Sequence, residues 1–166
     1  MNAAAETGRT PTQALPLALE FAALVLIVLV AAFLRLYQLD ITPPGLHYDE
    51  AAYGLLARET AETLDFKVFY RAYAGREPIF IYLVALSTTL LGPTVFAIRV
   101  VAALVGVSTV LAAYLFARRP FGPATALAGS AMLAVLYWHV HTSRLGFRAI
   151  LVPLLLTITL AVLWHA

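Results

Sequence analysis

The sequence predicts an all-α, polytopic transmembrane helical protein with juxtamembrane helices in its first external loop. Three observations carry that prediction. Of the 166 residues, 62% are hydrophobic and only 12% charged, whereas a soluble domain carries about a quarter charged. Apolar stretches long enough to span a bilayer recur along the chain. A single long polar segment, residues 40–77, separates the first of them from the rest.

The mean hydropathy of +0.87 agrees. The net charge is only +2, and no basic cluster exceeds Arg118-Arg119, so no nucleic-acid partner is expected. The absence of cysteine excludes disulfides, thiolate metal sites and cysteine nucleophiles.

Residues 1–14 read as a polar cytoplasmic tail, and 15–166 as the transmembrane region. The apolar run 15–39 is broken only by Glu20, Arg35 and Gln38. It exceeds a secretory signal's apolar core, so it reads as an uncleaved first span. Three later runs, about 97–117, 124–141 and 149–166, also reach spanning length once their flanks are included. With the N-terminus inside, alternation places 40–96 outside as the first external loop. The arginines do not settle this orientation, because more lie on the expected outer side than on the inner.

Within the external loop, residues 48–64 contain no proline and carry apolar positions at helical spacing, with Arg58 and Glu62 four apart. That predicts one helix. Phe66, Val68, Phe69, Tyr70 and Tyr73 follow, interleaved with Lys67 and Arg71. Rings and cations mixed in this way are the composition of a membrane–water interface. Residues 78–91 are apolar but too short to span, and Glu77-Pro78 and Gly92-Pro93 punctuate their ends. They read as a second interfacial helix.

Three groups of residues could carry chemistry. Asp49 and Glu50 open the 48–64 helix. Neighbours on a helix point about 100° apart, so these carboxylates cannot share one task. Read locally they are a cap and a first-turn acid. Read chemically, one of them is an acceptor for a hydroxyl proton or a ligand for a divalent cation. Glu77, ahead of Pro78, is a second acid at the same interface. Arg99, Arg144 and Arg148 stand at the expected outer ends of spans, where they either snorkel or bind an anion such as phosphate. His47, His139 and His141 lack metal-ligand spacing and read as interfacial polar residues.

The order of these landmarks resembles the start of the GT-C membrane glycosyltransferases. The landmarks are Tyr48-Asp49-Glu50-Ala51-Ala52-Tyr53, Glu77-Pro78-Ile79-Phe80-Ile81-Tyr82 before a Leu91-Gly92 break, Arg99 opening a span, and Arg119-Pro120-Phe121-Gly122. The similarity is to the protein-mannosyltransferase-like branch, which includes the aminoarabinose transferase of lipid A and Rgt-type enzymes. It runs from about residue 17 to the end.

The resemblance implies a membrane glycosyltransferase that moves a sugar from a polyprenyl-phosphate donor to a hydroxyl acceptor, usually with inversion. Asp49 would be the catalytic base and Glu50 its supporting neighbour. Glu77, Arg99, Arg144, Arg148 and Tyr53 would contribute to substrate binding. Some members carry a further acid implicated in metal binding, but residues 143–149 contain none, so dependence on a divalent metal stays open. Family members are several hundred residues long, so the chain reads as an N-terminal portion not expected to act alone. A transporter or flippase component and a non-catalytic membrane scaffold are the competing readings.

Overall fold

The computed structural model describes residues 16–73 and 75–165, and within them the protein is all-α. The expected 1–14 tail lies outside the described residues. Helix α1 (Leu17–Leu36) is followed by α2 (Tyr48–Thr63), α3 (Pro78–Leu91), α4 (Val95–Phe121), α5 (Pro123–Val135) and α6 (Tyr137–Arg144). A 3₁₀ turn (Arg148–Ile150) then leads into α7 (Leu151–His165). Two helices, α1 and α4, are long and apolar enough to cross a membrane. A third span exists if α5 and α6 together form one.

Helix α4 is the axis of the packing. It covers 27 residues, several more than the 97–117 read from sequence, and runs through Pro120 to Phe121. Gly122 closes it with a φ of +82°, a backbone state that glycine adopts without penalty, and Pro123 opens α5. At that end of the molecule Glu20 of α1 is buried against α4. It accepts hydrogen bonds from Tyr114, from Arg118 Nε at 2.5 Å and from Arg118 Nη2 at 3.1 Å.

The expected 124–141 span is broken. Leu136 is extended (φ −60°, ψ 117°), and α5 and α6 meet at 54°. No proline or glycine marks the place. The buried Arg35 of α1 supplies the cause. Its Nη1 donates to Ala134 O and Ala31 O, both at 2.9 Å, and its Nη2 to Leu133 O at 3.4 Å and His139 Nδ1 at 2.8 Å. A helix that stops inside a protein must find donors for its last carbonyls, and Arg35 provides them. The expected 149–166 span starts with the 3₁₀ turn and continues as α7 to His165, the last described residue.

On the other side of α4, α2 and α3 enclose the main core with it. Tyr53, Leu56, Phe80, Ile81, Val84 and Ala102 are its centre. Helix α3 returns to α4 through a short turn, where Ser87 Oγ donates to Ala97 O at 2.7 Å and Thr94 caps the Ala97 N–H. This packing holds the N-terminus of α2 beside the start of α4.

Candidate functional site

The site grows from the first turn of α2. His47 is the N-cap: its Nδ1 accepts from Asp49 N at 3.2 Å, and Glu50 closes a capping box by accepting from His47 N at 2.9 Å. The local reading of Asp49 as the cap is therefore replaced. Histidine takes that place, which frees the Asp49 carboxylate for other partners.

Glu50 points inward and is fully buried. Its Oε1 accepts from Arg99 Nε (2.8 Å) and Gly146 N (2.9 Å), and its Oε2 from Arg99 Nη2 (3.1 Å) and His47 N. Arg99 reaches onward to Leu39 O (3.2 Å) and Pro43 O (2.9 Å) through Nη1, and to Gly45 O (2.6 Å) through Nη2. A guanidinium has five N–H donors, and Arg99 makes five bonds. None is left for a substrate anion. Burial pushes the Glu50 carboxyl up, but Arg99, the Gly146 N–H and the His47 N–H outweigh it and hold its pKa below the ordinary value. A Cβ at Gly146 would lie 2.8 Å from Ile98 and 3.4 Å from Glu50, so this approach requires glycine.

Asp49 points the other way, its side chain one-third exposed. Its Oδ1 accepts from Arg76 Nη2, and among the described residues no donor meets Oδ2. Arg76 also donates to Tyr53 OH at 2.8 Å and stacks over the Tyr53 ring at 4.8 Å. Burial works against the Arg76 cation, but the Asp49 hydrogen bond and charge outweigh it and its pKa rises. Burial raises the Tyr53 phenol, which stays protonated. The Arg76 backbone is fixed by a two-way bridge with Tyr70, at 3.0 and 2.8 Å, and Tyr70 OH is tied to Thr60 of α2 at 2.5 Å. Arg76 is the residue that sequence reasoning passed over, because neither its spacing nor its neighbours single it out.

The remaining candidates separate. Glu77 pairs with Arg148, which also donates to Gly75 O at 3.4 Å. That pair lines, together with Ile79, Phe80, Leu151, Val152 and Leu155, a surface groove of about 370 Å³. Arg144 instead binds the C-terminal end of α1, donating to Leu34 O, Tyr37 O and Thr42 O at 2.8, 2.8 and 2.9 Å. The three arginines grouped from sequence thus have three different partners. The histidines are also apart: His47 caps α2, His139 meets Arg35, and His141 stacks on Tyr137. No cluster of three metal-ligating side chains occurs among the described residues.

Comparison with known proteins gives one match. Residues 75–166 match the family described as dolichyl-phosphate-mannose-protein mannosyltransferase. No curated protein and no solved structure matches the chain. The matched region covers just over half of the sequence and contains Arg76, Glu77, Arg99, Arg144 and Arg148, while Asp49, Glu50 and Tyr53 precede it. By that match the chain belongs to the dolichyl-phosphate-mannose-protein mannosyltransferase family.

Proposed function

We propose that this chain forms part of a polytopic GT-C-type membrane glycosyltransferase that transfers a sugar from a polyprenyl-phosphate donor to a hydroxyl acceptor, with Asp49 as the base. The observation that carries this reading is the half-held carboxylate of Asp49. Arg76 fixes Oδ1, and Oδ2 meets no donor on the open side. A hydroxyl bound there would lose its proton to Oδ2 as its oxygen attacks the anomeric carbon. The bond from that carbon to the phosphate oxygen breaks, and polyprenyl phosphate departs with the electron pair. One displacement of this kind inverts the anomeric centre. The leaving phosphate needs cations more than it needs an acid.

Arg148 is the favoured cation. It lines a groove whose other side chains are largely apolar and suit a lipid chain, and Glu77 holds it there. Glu50 and Arg99 act one step back by fixing the turn that presents Asp49. Arg144 secures α1 in the same way. The aminoarabinose-transferase and Rgt-type enzymes belong to the protein-mannosyltransferase-like branch that the sequence resembles. Domain limits follow the sequence reading, with 1–14 cytoplasmic and the first external loop at 40–96.

The transporter reading gains one observation, the broken α5–α6 pair with Arg35 buried beside it. Broken helices bind substrates in transporters by exposing their ends. Here Arg35 already occupies the carbonyls at the break, which favours a fixed cap.

One substitution separates these readings. Asp49→Asn is nearly isosteric and keeps an oxygen for Arg76, so folding is expected to persist. Release of polyprenyl phosphate from a sugar-phosphoryl-polyprenol by the intact protein should fall by about 10²–10⁴-fold. Unchanged release would remove Asp49 from the chemistry.

A further inference from the structure

The segment between α2 and α3 carries apolar side chains that none of the described residues covers. Val68 is 90% exposed, Phe66 64% and Phe69 56%. Such residues in a loose polar loop would mean little. This segment is held from several directions. Tyr82 of α3 donates to Lys67 O at 2.6 Å, and its ring meets Phe66 edge to face at 5.3 Å. Lys67 is drawn back to Glu59 at 2.5 Å. Tyr70 is bridged to Arg76, and the Phe69 ring lies over Gly75, whose added Cβ would sit 2.8 Å from it. The φ of +82° at Gly75 independently requires glycine there. Val68 is displayed outward from a fixed platform, with the partly exposed rings of Phe66 and Phe69 on either side.

The surface around them continues in kind. Helix α3 leaves Ile79, Leu83, Leu86 and Leu90 exposed along one side. Steps of four, three and four residues make that a single stripe. Tyr82 lies beside it and joins it to Phe66. Lys67, paired with Glu59 and Asp65, lies within the tip, and Arg71 follows it. Large apolar side chains next to aromatic rings and long cationic side chains fit the boundary between lipid headgroups and acyl chains. Patches of this kind mark contact surfaces. With α1 and α4 long enough to span, a bilayer is the partner already adjacent.

We propose that residues 66–69 form a membrane-seated wedge, inserted at the lipid headgroup–acyl boundary and continuous with the outer stripe of α3. Through the Tyr70–Arg76 bridge and the Phe69–Gly75 contact, this seat sets the depth at which Arg76 holds Asp49. The inference rests on the spanning of α1 and α4, not on the sugar-transfer reading, so it stands or falls separately.

This chain has no cysteine, so a nitroxide placed through Val68→Cys labels one position in it. Val68 makes almost no contact within the protein, and the substitution leaves the fold intact. In phosphatidylcholine vesicles, dissolved oxygen, which concentrates in the acyl region, should relax the label severalfold more effectively than a water-soluble nickel chelate. Dominance of the nickel chelate would place the tip in water and overturn the proposal. Low access to both reagents would mean that protein covers the tip, which overturns it equally. Phe66→Cys repeats the measurement on the other side of the wedge, with the same expectation.

Discussion

Glu50→Ala should leave little folded protein. Glu50 is fully buried and meets four donors, two of them from Arg99, which is itself 1% exposed. Removing one partner of a buried ion pair strands the other charge and costs about 3–5 kcal/mol. Whole-protein stabilities are often only about 5–15 kcal/mol. The loss extends beyond the pair, because the N–H groups of His47 and Gly146 lose their acceptor as well. Thermal melting in detergent or proteoliposomes reads this directly, and an unchanged midpoint would refute it. The double replacement of Glu50 and Arg99 by leucine and methionine should recover part of the loss, since no lone charge remains. It should not recover all, because the carbonyls of Leu39, Pro43 and Gly45 lose their donor.

The same pair implies a pH dependence of known sign. The folded pKa of Glu50 lies below its ordinary value of 4.5. A depressed carboxylate contributes stability that is fully present above the unfolded pKa and lost as pH falls through the folded one. Melting should therefore be insensitive to Glu50 near neutrality and fall on acidification below about pH 4.5. Glu50→Gln should flatten that acid limb while lowering the midpoint at neutral pH.

Arg35→Met is the second substitution expected to act strongly. Its side chain meets two carbonyls and His139 at the α5–α6 break, besides Ala31 O of its own helix. Without it, Leu133 and Ala134 keep carbonyls with no donor, at about 1–3 kcal/mol each. Alternatively the two helices heal into one, swinging Ser143 away from α4. That contact is close: a Cβ at Gly106 would lie 2.6 Å from Ser143 Cβ and 3.0 Å from Arg35 Nε. Either path lowers the melting midpoint. Hydrogen exchange at Tyr137–Val140 distinguishes them, with faster exchange for the first and protection for the second. A midpoint equal to the parent's would show that the break does not depend on Arg35.

Much of the helical outline was legible in the chain. Pro78 and Gly92 bracket α3, and the apolar content of α1 and α4 declares their membrane character without regard to periodicity. Elementary helix geometry also dictated that Asp49 and Glu50 must diverge. Which of them turns inward was not legible. That choice is made by Arg99 arriving from α4 and Gly146 from beyond α6, both far away in sequence. Arg76 was invisible for the same reason, since its partners Asp49 and Tyr53 precede it by 27 and 23 residues. The break at Leu136 sits in a uniformly apolar run, and only a side chain from α1 reveals it.

By itself, the sequence determined that this is an all-α protein built around membrane-length helices, with an adjacent pair of acids where the second helix starts. Those properties follow from hydrophobicity, helix period and the dihedral limits of proline and glycine, which act within a few residues. The tertiary structure alone decided how each charge is used. Arg99 serves Glu50, Arg144 the end of α1, Arg148 Glu77, and Arg76 the partly open carboxylate of Asp49. A hydrogen bond reaches only about 3 Å. A guanidinium's partner is therefore whichever acceptor the packing brings within that distance, and spacing along the chain does not record it.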